Sequence, residues 1–196
     1  MHLRRTLTVV PLVLAVLAAP SLAAPKAKPV PPQIVDPKGD SLGGQAGFDI
    51  LSVEYKTSGL GSGKAYVPKK LIVTLTLAGP PRTEGLVAYT MRAETDTCGR
   101  FIVKYTPGTA VSGLIGDTYA TFGSCAEGMF FPAKVKGSVV TFEFGLKATG
   151  IDRGTEVSDF IATVDLSDPA LGSFGSDIVS PGLLDKASGK GTWLVP

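Results

Sequence analysis

The sequence predicts an all-β fold: an antiparallel two-sheet β-sandwich, jelly-roll-like, with about nine strands and one disulfide. Three observations predict it. Apolar and polar residues alternate at period two over many short runs, with almost nothing at the helical period. Gly and Pro, 24 and 15 residues respectively, punctuate those runs. Cys98 and Cys125 are the only cysteines, so they form one pairing. A closed barrel is the alternative, because alternation sets the faces of a sheet and not its closure.

The chain opens with a secretory signal pattern over residues 1–24. Arg4 and Arg5 supply the positive start, Leu7 to Leu17 an apolar run too short to span a bilayer, and Ser21-Leu22-Ala23-Ala24 a small-residue cleavage zone. An exported, oxidising setting favours the Cys98–Cys125 disulfide, whose loop would stabilise the fold by about 3.5 kcal/mol. Residues 25–32, PKAKPVPP, read as a semi-rigid extended tether, and a single sandwich domain follows over 33–196.

In that domain Leu51, Val53 and Tyr55 alternate with Ser52 and Glu54, and Leu71, Val73, Leu75 and Leu77 alternate with Ile72, Thr74 and Thr76. Further strands are expected over 86–94, 101–105, 119–123, 130–136, 139–146, 160–166 and 192–195. Gly79-Pro80-Pro81, Pro107-Gly108, Lys136-Gly137, Asp152-Arg153-Gly154 and Ser167-Asp168-Pro169 mark turns between them. Residues 174–190, Gly/Ser-rich and weakly patterned, are expected to wrap one end before Trp193 and Val195 return to the core.

Removing Arg4 and Arg5 with the leader lowers nineteen basic residues to seventeen, equal to the seventeen acidic ones. A neutral chain without a basic cluster offers no electrostatic reason to expect nucleic acid or an anionic membrane as partner. The only histidine, His2, leaves as well, and the sequence has no asparagine. Gly39-Asp40-Ser41-Leu42 matches the nucleophile block of the GDSL esterases, but a serine without a basic partner is a poor nucleophile, and the block reads as a turn. Carboxylate chemistry is the remaining catalytic option, through Glu54, Glu143 or Asp165; nothing in the pattern pairs them at the spacing a glycosidase needs. The expectation is a protein without catalytic activity.

The interval from Ile34 to Tyr55 instead concentrates Asp36, Asp40 and Asp49 among glycines. Aspartate oxygens and turn carbonyls suit calcium, and an exported protein meets it at millimolar levels, so calcium is the candidate cofactor, with no nucleotide. Turn formation by the same aspartates is the plain alternative. For a ligand such as a glycan, the candidate aromatic contacts are Tyr66, Tyr119 and one of Phe130 and Phe131, of which Phe131 is taken; adjacent strand residues cannot both face inward.

Asp36-Pro37-Lys38-Gly39-Asp40, followed by Phe48-Asp49-Ile50-Leu51-Ser52-Val53 and Leu71 to Leu77, and closing on Asp185-Lys186-Ala187 and Thr192-Trp193-Leu194-Val195, resembles secreted bacterial β-sandwich modules. More distantly it is similar to the superfamily of family-nine carbohydrate-binding modules and DOMON domains. That resemblance implies a ligand-binding or surface module, with Asp36, Asp40 and Asp49 at a calcium site. Haem is not expected, since no histidine remains to ligate it. The expected protein is secreted, and its partner is an extracellular glycan, a cell-envelope polysaccharide or another protein.

Overall fold

A computed structural model describes residues 33–83, 87–107, 118–166 and 183–196. The signal pattern, the tether and residues 174–182 of the Gly/Ser-rich segment lie outside these. The strands are β1 (Ile34–Val35), β2 (Ile50–Leu60), β3 (Val67–Leu77), β4 (Val87–Thr95), β5 (Gly99–Tyr105), β6 (Thr118–Phe122), β7 (Met129–Phe131), β8 (Lys134–Lys136), β9 (Val139–Gly145), β10 (Glu156–Leu166), β11 (Leu183–Ser188) and β12 (Trp193–Leu194), with a four-residue helix α1 (Leu146–Thr149). One sheet runs β1-β2-β3-β9-β8. The other runs β11-β10-β4-β5-β6-β7, with β12 also pairing with β10. All pairings are antiparallel, and the two sheets pack face to face as a sandwich.

The alternation read from the sequence sets the core. Leu71, Val73, Leu75 and Leu77 of β3 are buried, as are Val140, Phe142 and Phe144 of β9 beside them. Opposite lie Tyr89 and Met91 of β4, Phe101 and Val103 of β5, and Phe160, Ala162 and Val164 of β10. Aromatic contacts bridge the sheets: Tyr55 meets Phe160 at 5.0 Å between ring centroids, and Phe144 meets Phe122 at 5.3 Å. Such pairs add roughly 0.5–1.5 kcal/mol each beyond the area they bury. Trp193 lies in the core, as expected.

Twelve strands replace the expected nine or so for two reasons. β1 and β11 have too little periodic sequence to stand out. The expected strand over 130–136 is two strands in different sheets: Pro132, lacking an amide hydrogen, ends β7, and the chain crosses to the other sheet as β8. At the start of β2 a register shift between Ile50 and Ser52 puts Ile50, rather than Leu51, in the core.

Cys98 and Cys125 are disulfide-bonded and join the β4–β5 turn to the β6–β7 loop. Gly150, which ends α1 at φ 68°, packs directly on this bridge, and a Cβ there would sit 2.4 Å from Cys125 Cβ. The buried tyrosines Tyr55 and Tyr89 have opposite outcomes for their hydroxyls. Tyr89 donates to Gly47 O at 2.8 Å and accepts from Arg82 N at 2.9 Å, which fastens the loop before β2. The Tyr55 hydroxyl is fully buried with no hydrogen-bond partner.

Two stability outcomes follow from these contacts. Cys98→Ala with Cys125→Ala should lower the unfolding free energy by about 3.5 kcal/mol. In chemical denaturation, Tyr55→Phe should leave stability unchanged or raise it, whereas Tyr89→Phe should lower it by about 1–3 kcal/mol because it removes the two hydrogen bonds, to Gly47 O and from Arg82 N, that hold the loop before β2.

Candidate metal centre

The loop from Asp36 to Asp49 connects β1 to β2, and each end is tied down. At its start Asp36 N donates to Leu51 O at 3.0 Å, continuing the β1–β2 ladder. Just upstream, the Gln33 side-chain amide brackets the Tyr55 backbone, donating to its carbonyl at 3.0 Å and accepting from its amide at 2.6 Å. The far limb rests on the β3–β4 connection: Arg82 donates to Gln45 Oε1 at 2.7 Å and lies over the Phe48 ring, and Gly47 packs so closely on Pro80 that a Cβ would fall 2.6 Å from its carbonyl oxygen. In between, Leu42 N donates to Leu184 O at 2.7 Å, which brings the loop against β11.

This docking gathers four carboxylates. Oxygens of Asp36, Asp40 and Asp185 lie within 4.8 Å of one another. Ligands on opposite sides of a calcium ion, each 2.3–2.6 Å from it, are roughly 5 Å apart, so one ion can reach all three. Asp185 Oδ2 accepts from Ile50 N at 2.7 Å and Oδ1 from Lys186 N at 2.8 Å. Asp49 Oδ2 accepts from Gly39 N at 2.7 Å, bending the loop back on itself at a glycine with φ 94°. Asp36 Oδ2, Asp49 Oδ1 and the Ser41 hydroxyl are buried with no hydrogen-bond partner.

The electrostatics are one-sided. Burial, followed by the charges of Asp40, Asp185 and Asp49, pushes the Asp36 carboxyl up to about 6. Burial also raises Asp185, against the two backbone amides that favour its charged form, and Asp40 and Asp49 raise it further. Among the described residues no ion pair reaches any of the four. Asp49 and Asp185 are buried, Asp36 is half-buried and Asp40 is exposed; carboxylates drawn out of water without a cation are costly, and the donor set is all oxygen, which suits a hard divalent ion over zinc or copper.

The expected calcium trio is thus redistributed. Asp36 and Asp40 converge as the sequence suggested. Asp49 stands behind them, spending one oxygen on Gly39 and acting on Asp36 and Asp185 by charge. Asp185 takes the third position, although its sequence context put it in the weakly patterned segment 174–190. The clue available in the sequence was its phase: Asp185 alternates with Lys186 and Ser188 and shares the inward phase of Ala187. Ser41 is buried in the turn, as expected of a GDSL block without a base.

The other candidates stay apart. Tyr119 pairs with Phe130, ring centroids 4.9 Å apart, and packs against the Gly128 backbone, where a Cβ would overlap its hydroxyl. Phe131 takes the opposite face and packs on Phe144 at 4.5 Å. Tyr66 lies at the far end of the β2–β3 hairpin, bonded to Thr57 at 3.1 Å. These three aromatics therefore make no shared platform. Glu143 is held by Lys70 and Lys134, Glu54 by Lys56, and Asp165 lies in the other sheet beside Thr163. No two of these carboxylates share a cleft.

Comparison with protein-family models, with curated proteins and with solved structures returns no match for this chain. Among the described residues, no helix is long and apolar enough to cross a membrane.

The raised Asp36 carboxyl has a definite pH consequence. A carboxyl whose folded pKa lies above its unfolded value near 3.8 favours folding when protonated, and that contribution is lost as pH rises through about 6. In chelator, the denaturation midpoint should therefore fall between pH 5 and pH 7.5, and Asp36→Asn should flatten that fall.

Proposed function

We propose that the protein is an exported, non-catalytic β-sandwich binding module whose entry loop is clasped to β11 by a calcium ion. The observation that supports this most directly is the convergence of Asp36, Asp40 and Asp185 oxygens within 4.8 Å, with Asp36 Oδ2 and Asp49 Oδ1 buried and unpartnered beside them. A divalent cation would neutralise the repulsion that raises Asp36 and Asp185, and the unpartnered oxygens are available to it or to its water. The role of the ion is structural: it would join residues near the start of the domain to a strand near its end.

Export is supported by the leader pattern, and the disulfide is compatible with it. The likeness to secreted sandwich modules points the same way. Between the two ligand classes that likeness suggests, the separation of Tyr66, Tyr119 and Phe131 favours an extracellular interaction domain over a glycan module built on an aromatic platform.

The clasp is tested by thermal unfolding of the mature chain in calcium and in chelator. At a calcium concentration one hundred times Kd the gain is about 2.7 kcal/mol, which raises Tm by roughly 5–10 °C for a domain of this size. Asp36→Asn should abolish the calcium increment while leaving the metal-free protein at least as stable at neutral pH, because it removes one of the mutually repelling charges. A wild-type Tm indifferent to calcium would refute the clasp.

A further inference from the structure

The end of the molecule opposite the aspartates carries a feature of a different chemistry. β2 and β3 pair along their whole length, but β1 reaches β2 only at Ser52 and Val53, and β9 reaches β3 only from Lys70 to Thr76. Beyond those points the hairpin is an arm with no neighbouring strand on either edge among the described residues. From Lys56 to Lys70 the arm contains Lys56, Lys64, Lys69 and Lys70 and no acidic residue. Lys56 and Lys70 pair with Glu54 and Glu143 at the surface, where such pairs contribute little. Among the described residues Lys64 and Lys69 make no ion pair.

The tip carries exposed apolar side chains. Leu60 and Val67 are cross-strand partners, 68% and 49% exposed, so they form a side-by-side aliphatic pair. A 3-10 turn over Gly63–Ala65 closes the hairpin, with Ala65 N on Ser62 O at 3.1 Å and Tyr66 N on Gly63 O at 3.2 Å. Gly61, at φ 81°, leaves room for Ala65 O, which a Cβ would crowd to 2.4 Å. Arg153 braces the arm from the β9–β10 connection, donating to the carbonyls of Lys64 and Tyr66 at 3.2 and 3.3 Å, and adds another positive charge.

We propose that this arm docks on the surface of an anionic lipid bilayer, its lysines on the phosphates and Leu60, Val67 and Tyr66 among the headgroups. Charge and shape together select this partner. A register shift between Ser58 and Gly59, and Pro68 without an amide hydrogen, blunt the arm against addition of a partner's strand. A soluble polyanion would use the lysines but not an exposed aliphatic pair, whereas a bilayer interface uses both. Formal neutrality of the mature chain conceals this, because the charge is polarised. Asp36, Asp40, Asp49 and Asp185 gather at the start of β2, whereas Lys70 lies opposite Ser58, roughly 26 Å along the strand at the rise of an extended chain, with Lys69 next to it and Lys64 in the turn beyond Leu60.

The test is flotation of the mature chain with vesicles of phosphatidylcholine alone or with one third phosphatidylglycerol. The chain should float with the anionic vesicles only, and should release at high salt. Lys64→Glu with Lys69→Glu, and separately Leu60→Ser with Val67→Ser, should each weaken partitioning at least tenfold; all four sites are exposed, and an unchanged unfolding curve confirms folding. Failure to float with anionic vesicles, or arm variants that float like the wild type, would overturn the proposal. So would capture by soluble polyphosphate, unaffected by Leu60→Ser with Val67→Ser, in place of flotation. Flotation should persist in chelator. If it requires calcium, the contact belongs to the aspartate end and the arm is refuted, while the calcium clasp stands or falls on its own Tm shift.

Discussion

The buried hydrogen bond from the Ile50 amide to the Asp185 carboxylate joins residues 135 positions apart and sits where the two sheets and the entry loop meet. The register shift at the start of β2 places Ile50 in the core there. Its amide finds an acceptor in a side chain of the opposite sheet. Because β11 must lie where Asp185 can reach Ile50, Leu184 is within reach of Leu42 N, and the loop from Asp36 to Asp49 is drawn against the same strand. The acidic cluster is a consequence of that docking. The carboxylate that closes the fold at this end is also the one that completes the set of metal-competent oxygens.

Within this cluster the net push is toward protonation. Burial raises Asp36, as do the charges of Asp40, Asp185 and Asp49; burial and the charges of Asp40 and Asp49 raise Asp185 against the Ile50 and Lys186 amides that favour its charged form. A protein can tolerate such an arrangement by protonating one member or by binding a cation, and the first becomes unfavourable near neutral pH. The unpartnered oxygens of Asp36 and Asp49 argue for the same resolution from hydrogen-bond accounting, independently of charge.

Between the two ends the aromatic core acts as a stiff spacer. Tyr55 on Phe160 and Phe144 on Phe122 lock the sheets face to face, and the disulfide under Gly150 holds the turns beside α1. The hairpin of β2 and β3 runs from the acidic end past the edge of its own sheet. One strand therefore links the acidic cluster to a cationic, apolar-tipped arm.

Sequence alone determined the class of fold, the inward face of β3, the disulfide pair and the turn reading of Ser41. All of these follow from period-two alternation, from a cysteine count of two or from the lack of histidine, which are local or compositional facts. It also placed Asp36 and Asp40 together, since they are four residues apart in one loop. Tertiary structure alone decided that Asp185 joins them, that Asp49 stands behind, that Pro132 moves the chain between sheets and that Phe131 faces the core while Phe130 meets Tyr119. Each of these depends on which strand becomes whose neighbour, and strand neighbours are chosen by packing across the whole domain. The lysines of the arm were visible in the sequence, yet a net charge of only +2 obscured them, because a sum over the chain carries no information about where its charges lie.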